Sequence, residues 1–179
     1  MNFYDKPLSE LTDEQWEQIC LRCGKCCMHK YTENGLLHFS NRMCKYFDLQ
    51  KCACACYNSR FELEDSECRK VDLQLLKHDL ELLPPTCAYR RLYEGRGLPP
   101  YHPLLTGNPK SAILAGETVQ SLPVHIDGTK EKIVIALIKT AHQKNWSDDR
   151  LMQKARKVFE KYQLRWLETY PLSSEKPAT

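Results

Sequence analysis

The chain has 179 residues, enough for one domain with a hydrophobic core and too few for two ordinary ones. Its net charge of +3 falls short of the concentrated basic surface of a nucleic-acid-binding domain. The longest apolar run, Ile133 to Ile138, is far shorter than the roughly 18 residues of a membrane-spanning helix. The N-terminus also lacks the basic start and apolar run of a secretory signal, so we expect a cytoplasmic protein.

The first predicted element is a short helix. Thr12 and Gln15 have the spacing of a capping box, which marks a helix N-terminus. The apolar positions that follow recur at helical spacing through Cys20 and Cys23. Gly24 is expected to end this helix, so that backbone N–H groups of the turn point at the neighbouring thiols.

All ten cysteines lie between Cys20 and Cys87, and the rest of the chain has none. Residues 31–69 combine frequent cysteine with poor periodicity and few large aliphatic side chains. Such a segment cannot be ordered by a core alone, so bound metal is expected to order it. The segment from Val71 to Leu83 is then predicted to form a helix, which Pro84 and Pro85 terminate.

Two elements are predicted in the last third of the chain. Glu117 to His125 and Lys132 to Ile138 flank the turn signal Asp127-Gly128 and are interpreted as a β-hairpin. A final amphipathic helix is expected to begin after Ser147 and to run to Trp166, its apolar stripe serving as core or as a docking face for an unknown partner protein.

Together these elements predict an α+β fold: a small, irregular, metal-stabilised, cysteine-rich domain with short helices, a β-hairpin and a C-terminal amphipathic helix. Residues 10–126 are expected to form the cysteine-cluster domain. Residues 127–170 would add a hairpin strand and a helical extension packed on it, and residues 171–179 a disordered tail.

In a reducing cytoplasm, dense cysteine favours metal binding over disulfides or redox switching. The spacing of Cys20, Cys23 and Cys26 suits the short knuckles of a zinc site, and equally the ligands of an iron–sulfur cluster. The adjacent Cys26-Cys27 pair is awkward for one tetrahedral ion, because neighbouring side chains diverge. A larger cluster or two sites would accommodate it, and spacing alone does not separate zinc from iron.

The order of these motifs resembles that of the YcgN-type bacterial cysteine-cluster proteins, a family of zinc- or iron-chelating domains. The matching blocks are Cys20-x2-Cys23-Gly24-x-Cys26-Cys27, Cys44, Cys52-x-Cys54-x2-Tyr57, Cys68, Leu83-Pro84-x-Thr86-Cys87-Ala88-Tyr89-Arg90, Glu94-Gly95 and His102-Pro103-Leu104-Leu105-Thr106-Gly107. They cover roughly residues 10–126, and nothing carries over to the helical segment that follows. A similar cluster occurs in flagellin lysine methylases.

The resemblance implies metal chelation by an iron–sulfur cluster, expected to be of the 4Fe-4S type, with zinc as the alternative. The implied ligand set is Cys20, Cys23, Cys26, Cys27, Cys44, Cys52, Cys54, Cys68 and Cys87. Cys56 is left out of this set because it sits where the family pattern lacks a cysteine.

Other polar residues near these motifs have two readings each. His102 is a candidate ligand or proton shuttle, but more simply a hydrogen-bonding residue that fixes its loop; His29 is a weaker candidate ligand. Lys30 and Tyr57 are candidates for hydrogen bonds near the metal.

No nucleophile–base set or phosphate loop is visible, so no catalytic residue or substrate is assigned. Three classes stay open: an iron–sulfur protein with a redox or enzyme-support role, a zinc-stabilised interaction module, and a metal-handling or redox-sensing thiol protein.

Overall fold

The computed structural model describes residues 2–63 and 67–172, and it confirms the α+β class. The helices are α1 (Asp13–Ile19), α2 (Leu73–His78), α3 (Ala88–Tyr93), α4 (Pro103–Thr106), α5 (Ser111–Leu114), α6 (Thr129–Gln143) and α7 (Asp148–Lys161). The strands are β1 (Met28–Glu33), β2 (Leu36–Met43), β3 (Phe47–Asp48), β4 (Ala53–Cys54), β5 (His125–Ile126) and β6 (Trp166–Pro171). Within the described ranges, no helix has the length and apolar character needed to cross a bilayer.

Strand β2 is the centre of the main sheet. It pairs antiparallel with β1 along one edge; along the other it pairs antiparallel with β6 and, at its end, parallel with β5. The β1–β2 connection is Asn34-Gly35, where both residues have positive φ (51° and 72°). Two successive positive φ values are what a tight two-residue hairpin turn requires, and Asn-Gly is the dipeptide that adopts them most readily.

The apolar core has two parts. One packs the helices together around Ile19, Leu76 and Tyr89. The other lies on the sheet around Phe39 and Val119. Cys20, Cys23 and Cys87 pack against the helical core, and Cys27 packs against the sheet core. The cysteine motif therefore forms the seam between the two halves of the molecule.

The hairpin predicted around Asp127-Gly128 is wrong. His125–Ile126 is a short strand, but residues 132–138 belong to helix α6, which begins after Gly128. The half-buried residues of this run are Ile133, Val134 and Leu137, with Ala141 buried further on. These positions share one helical face, so burial follows a helical period although Ile133 and Val134 are β-branched.

The final helix begins as predicted and ends early. The Ser147 side chain accepts a hydrogen bond from the Arg150 N–H, which confirms the cap. Helix α7 ends at Lys161, and Trp166 begins strand β6, which the sequence did not predict. Pro171 lies in β6 and the Leu172 N–H donates to the Gly35 carbonyl, whereas residues 173–179 of the predicted tail lie outside the described residues. The docking role of the α7 face stays a prediction.

The capping box of α1 is confirmed, since the Thr12 side chain accepts from the Gln15 N–H and the Gln15 side chain reaches back. This helix ends at Ile19, however, and not at Gly24. Arg22 has a left-handed φ of 54°, which no helix accommodates, so Cys23 lies in a loop. The predicted helix at 71–83 is likewise split, into α2 and a separate 3-10 turn at Leu80–Leu82.

Candidate metal centre

The loop from Cys20 to Cys27 is wound so that its N–H groups face sulfur. Arg22 and Gly24 both have left-handed φ values, and Lys25–Cys27 forms one 3-10 turn. The Arg22 N–H lies near the Cys20 sulfur and the Lys25 N–H near the Cys23 sulfur, and each favours the thiolate form. Alternating backbone of this kind forms an anion-binding nest, a device found at phosphate and iron–sulfur sites.

Gly24 is required by space as well as by φ. A Cβ atom on Gly24 would lie 2.6 Å from Phe47 Cζ and 2.7 Å from Val119 Cγ2. The same loop is pinned from the other side, because the Val119 N–H donates to the Cys23 carbonyl at 2.9 Å. The nest is therefore held in a fixed shape by the sheet core.

Cys87 reaches this loop from a distant part of the chain. It is the N-cap residue of α3, so its sulfur lies near the Arg90 and Tyr89 N–H groups, which favour its thiolate form. Its position brings it within electrostatic reach of Cys20 and Cys23. We call Cys20, Cys23, Cys26 and Cys87 the inner thiols. They line a cavity of about 330 Å³ that Cys52, Pro84 and Tyr89 also border.

A second group of thiols lies on the other side of the Cys26-Cys27 pair. These outer thiols are Cys27, Cys44, Cys54, Cys56 and Cys68, and they line a cavity of about 490 Å³. The Cys54 and Cys56 sulfurs are 3.7 Å apart. The Cys44 N–H donates to the Cys27 carbonyl at 2.8 Å, which ties the end of β2 to the motif. Cys26, Cys27 and Cys54 border both cavities, and the Cys26 sulfur lies 4.0 Å from that of Cys27.

Burial disfavours the thiolate form of most inner thiols. Burial, together with the charge of Cys26, raises the pKa of Cys20 to about 12 and the pKa of Cys87 to about 11. Burial also raises the pKa of Cys23. The pKa of Cys26 is lowered instead, chiefly by the hydrogen bond from Cys27, with the charges of Lys30 and Arg60 adding to it. Thiolates at the other inner positions thus require a compensating cation.

The donor set fits a soft metal or an iron–sulfur cluster, because thiolates are the ligands those groups prefer. Four sulfurs about 2.3 Å from one zinc ion would lie about 3.8 Å apart. The Cys54–Cys56 and Cys26–Cys27 separations are close to that value. Among residues 2–63 and 67–172, no three Cys, His, Asp or Glu side chains already stand close enough together to hold a single ion.

Cys52, which the sequence placed in the ligand set, has a different environment. It is buried in the sheet core, and its thiol donates to the Arg22 carbonyl at 3.3 Å. Its φ of 49° is left-handed. Cys56, which the sequence left out, has its sulfur beside that of Cys54. The geometry thus favours Cys56 over Cys52 as a ligand.

His102 fixes its loop, which is the simpler of its two readings. It is 1% exposed; its Nε2 lies 3.0 Å from the Ile19 carbonyl, and its Nδ1 accepts from the Leu104 N–H at 3.1 Å. Both ring nitrogens are therefore occupied, and neither is free for a metal. The contact with Ile19 instead fixes the end of α1, immediately before Cys20.

The other polar candidates also have structural contacts. Lys30 donates to the Cys26 and Met28 carbonyls, at 2.8 and 3.1 Å, so it stands beside the motif. The Tyr57 hydroxyl donates to Glu17 at 2.5 Å. His29 lies between Glu67 and Asp127, with ring nitrogens 3.7 and 3.8 Å from their carboxylates.

Lys25 is a feature that sequence reasoning missed. It is 6% exposed, and its ammonium lies 2.9 Å from Glu168 of β6 and 3.7 Å from Glu117. Burial alone would lower the pKa of Lys25, but the hydrogen bond and charge of Glu168 raise it overall. A charged lysine is thus held inside the motif, within reach of Cys23. Its position in CGKCC is the only local signal of this role.

These features define a class of protein: an α+β domain organised around a reduced cysteine cluster. The chain belongs to the UPF0260 family, which confirms the resemblance to YcgN-type bacterial proteins. It is 43% identical to a UPF0260 protein of Klebsiella pneumoniae (strain 342) over 116 residues, which cover 64% of this chain and 76% of the relative.

Two further relatives show the same relationship. UPF0260 protein YcgN of Salmonella paratyphi A is 43% identical over 116 residues, covering 64% of this chain and 76% of the relative. A UPF0260 protein of Enterobacter sp. (strain 638) is 37% identical over 145 residues, covering 80% and 88%. No family model and no solved structure matches the chain. The names of these relatives state neither an activity nor a cofactor.

Proposed function

We propose that this protein binds an iron–sulfur cluster of the 4Fe-4S type through the inner thiols and serves a redox or enzyme-support role in the cytoplasm. The observation that carries the proposal is the convergence of Cys20, Cys23, Cys26 and Cys87 on one cavity lined by N–H donors. Three closely spaced cysteines and one remote cysteine are an ordinary ligand set for a cubane cluster.

The chain's own residues would supply such a group with ligands, charge compensation and shielding from water. The four thiolates ligate it, and the N–H groups of Arg22, Lys25 and Arg90 stabilise their charge. Lys25 adds a buried positive charge that Glu168 holds in place. Tyr89 and Pro84 shield the cavity wall from water. When bound, a cubane cluster accepts and returns single electrons, and hydrogen bonds and burial set its potential.

A zinc-stabilised interaction module is the second candidate, and a specific observation favours it. The Cys54–Cys56 separation of 3.7 Å matches the edge of a single-ion tetrahedron of about 3.8 Å. Under this alternative the metal orders the fold and carries out no chemistry. A metal-handling or redox-sensing protein is the third, and it would hold its metal loosely in the larger cavity.

The deciding experiment is a Mössbauer and electron paramagnetic resonance spectrum of whole cells that overproduce the protein, recorded before exposure to oxygen. Iron, sulfide and zinc are then measured in protein isolated without oxygen. We expect cluster signals, with about four iron atoms and four sulfides per chain. Cys87→Ser should lose them, whereas Cys52→Ser, a substitution in the sheet core, should keep them. Silent spectra with stoichiometric zinc would contradict the proposal and support the interaction module.

A further inference from the structure

We propose that the outer thiols form a second metal site, separate from the inner one, which binds a single soft divalent cation such as Zn²⁺. The inference extends the proposed function from the inner to the outer thiols, and it can fail independently. It gives Cys56 a ligand role and leaves Cys52 out of both sites.

The thiols form two spatial groups that meet at Cys26-Cys27. The thiolates within electrostatic reach of Cys23 are Cys26, Cys87 and Cys20. Those that bear on Cys27 are Cys26, Cys44 and Cys68. The Cys26 and Cys27 sulfurs lie 4.0 Å apart, so this pair is the junction between the two groups. One four-ligand site cannot use nine thiols. Cys20, Cys23 and Cys87 line the smaller cavity alone, Cys44, Cys56 and Cys68 line the larger cavity alone, and Cys26, Cys27 and Cys54 border both.

Two of the outer sulfurs lie close to each other. Cys54 and Cys56 stand 3.7 Å apart, close to the roughly 3.8 Å expected for two sulfurs on one tetrahedral zinc ion. Thiolates bound to different irons of a cubane stand farther apart. The Cys54–Cys56 pair is therefore already arranged for one ion, and the remaining outer thiols lie within electrostatic reach to complete the coordination.

Positive side chains beside the outer thiols would balance the charge of a metal–thiolate site. A divalent ion with four thiolates carries a net negative charge, which must be balanced where water is partly excluded. Lys30 and Arg60 border the cavity; Lys30 lies within electrostatic reach of Cys27 and Cys68, and Arg60 lies within electrostatic reach of Cys68. The Lys30 ammonium is held by the Cys26 and Met28 carbonyls, so its charge is fixed beside the outer thiols and does not move freely in solvent.

The test uses Co²⁺ as the probe, because a tetrahedral cobalt–thiolate site absorbs visible light and zinc does not. The full chain is purified without oxygen, treated briefly with a chelator and titrated with Co²⁺. The double variant Cys20→Ser/Cys87→Ser, which isolates the outer thiols, should bind one Co²⁺ per chain with thiolate-to-cobalt charge-transfer bands. Cys54→Ser and Cys56→Ser should each weaken this binding at least tenfold.

Measurements on the outer variants keep the inference testable if the inner double variant fails to fold. Cys56→Ser should retain the inner-site metal at wild-type content, while Cys52→Ser should retain both metals. Parallel loss of all metal in Cys56→Ser and Cys87→Ser would mean one merged site and would overturn the inference, as would the absence of a cobalt–thiolate spectrum. A missing iron–sulfur signal alongside normal Co²⁺ binding would refute only the proposed function.

Discussion

The inner and outer thiols are neighbours, yet the chain holds them in different ways. The inner thiols lie on a pinned nest and at the N-cap of α3, and both are packed against the helical core. Of the outer thiols, Cys27 shares the 3-10 turn of the nest and Cys54 lies on the two-residue strand β4, whereas Cys44, Cys56 and Cys68 lie in turns or in segments without regular structure. Rigid support suits a permanently bound group, whereas the looser support of the outer thiols suits an ion that exchanges.

The largest expected effect comes from removing all metal. Structural metal can contribute on the order of 10 kcal/mol or more, as much as the net stability of a whole domain. We expect chelation to abolish amide protection in residues 44–57, where only two-residue strands hold the chain. The β1–β2 and β2–β6 ladders and the α6–α7 pair should lose protection later.

Hydrogen exchange followed by mass spectrometry measures this difference peptide by peptide. Helix α7, which carries no thiol, serves as the internal control. Unchanged protection around the outer thiols in metal-free protein would show that metal does not order that segment.

Gly24→Ala tests the rigidity of the inner thiols. The new Cβ would meet Phe47 and Val119 below 3 Å and would sit at a left-handed φ. Overpacking and unfavourable φ together should cost about 3 kcal/mol of unfolding free energy. The matched control is Gly35→Ala, which has the same sign of φ but nothing within 4 Å, and should cost about 1 kcal/mol.

Denaturant unfolding of both variants measures the costs, and metal analysis shows which site is affected. The Gly24 variant should lose inner-site metal and the Gly35 variant should not. Equal costs at the two glycines would remove the argument that the inner nest is held by packing.

Glu168→Gln tests the charge buried beside the inner thiols. The Lys25 ammonium would remain largely buried with only Glu117, 3.7 Å away, as its anionic partner. We expect a loss of about 2 kcal/mol of unfolding free energy, because an incompletely compensated buried charge is costly. Glu117→Gln is the control. Since Glu117 is more distant and more exposed, its substitution should cost well under 1 kcal/mol. If the two variants unfold at the same denaturant concentration, Lys25 does not depend on β6.

The smallest effect concerns His102. Burial lowers its pKa, so the folded protein holds it neutral while the unfolded chain protonates near pH 6.5. Below that pH the unfolded state binds the extra proton, and stability falls as pH decreases. His102→Gln should therefore show a shallower loss of urea stability between pH 7.5 and 5.5 than the wild type. His78→Gln, at an exposed position of α2, should keep the wild-type slope.

Local signals in the sequence predicted the starts of α1 and α7 correctly. They missed strand β2 because it buries polar residues. His38 contacts Thr169, Ser40 donates to the His29 carbonyl, and Asn41 donates to the Gln163 carbonyl. These bonds satisfy the polar groups inside the sheet, so the strand shows no alternation of apolar and polar residues.

Two other features could not be decided from local sequence. The apolar run at 133–138 fits a strand or a helix equally, and only packing decides between them. The pairing of Lys25 with Glu168 joins opposite ends of the chain, and nothing in either neighbourhood indicates it. Cys56 was excluded because of a family pattern, whereas its position depends on how β4 places its neighbour Cys54.

The position of Glu168 also fixes an order of events during synthesis. The ribosome makes the cysteine motif early, and β6 follows only after α6 and α7 have emerged. Until then the edge of β2 that β6 covers is open, and Lys25 lacks its nearer carboxylate. The nascent chain thus exposes both an unpaired strand and an incomplete inner site. When β6 emerges, it pairs with β2 and brings Glu168 to Lys25 in the same step.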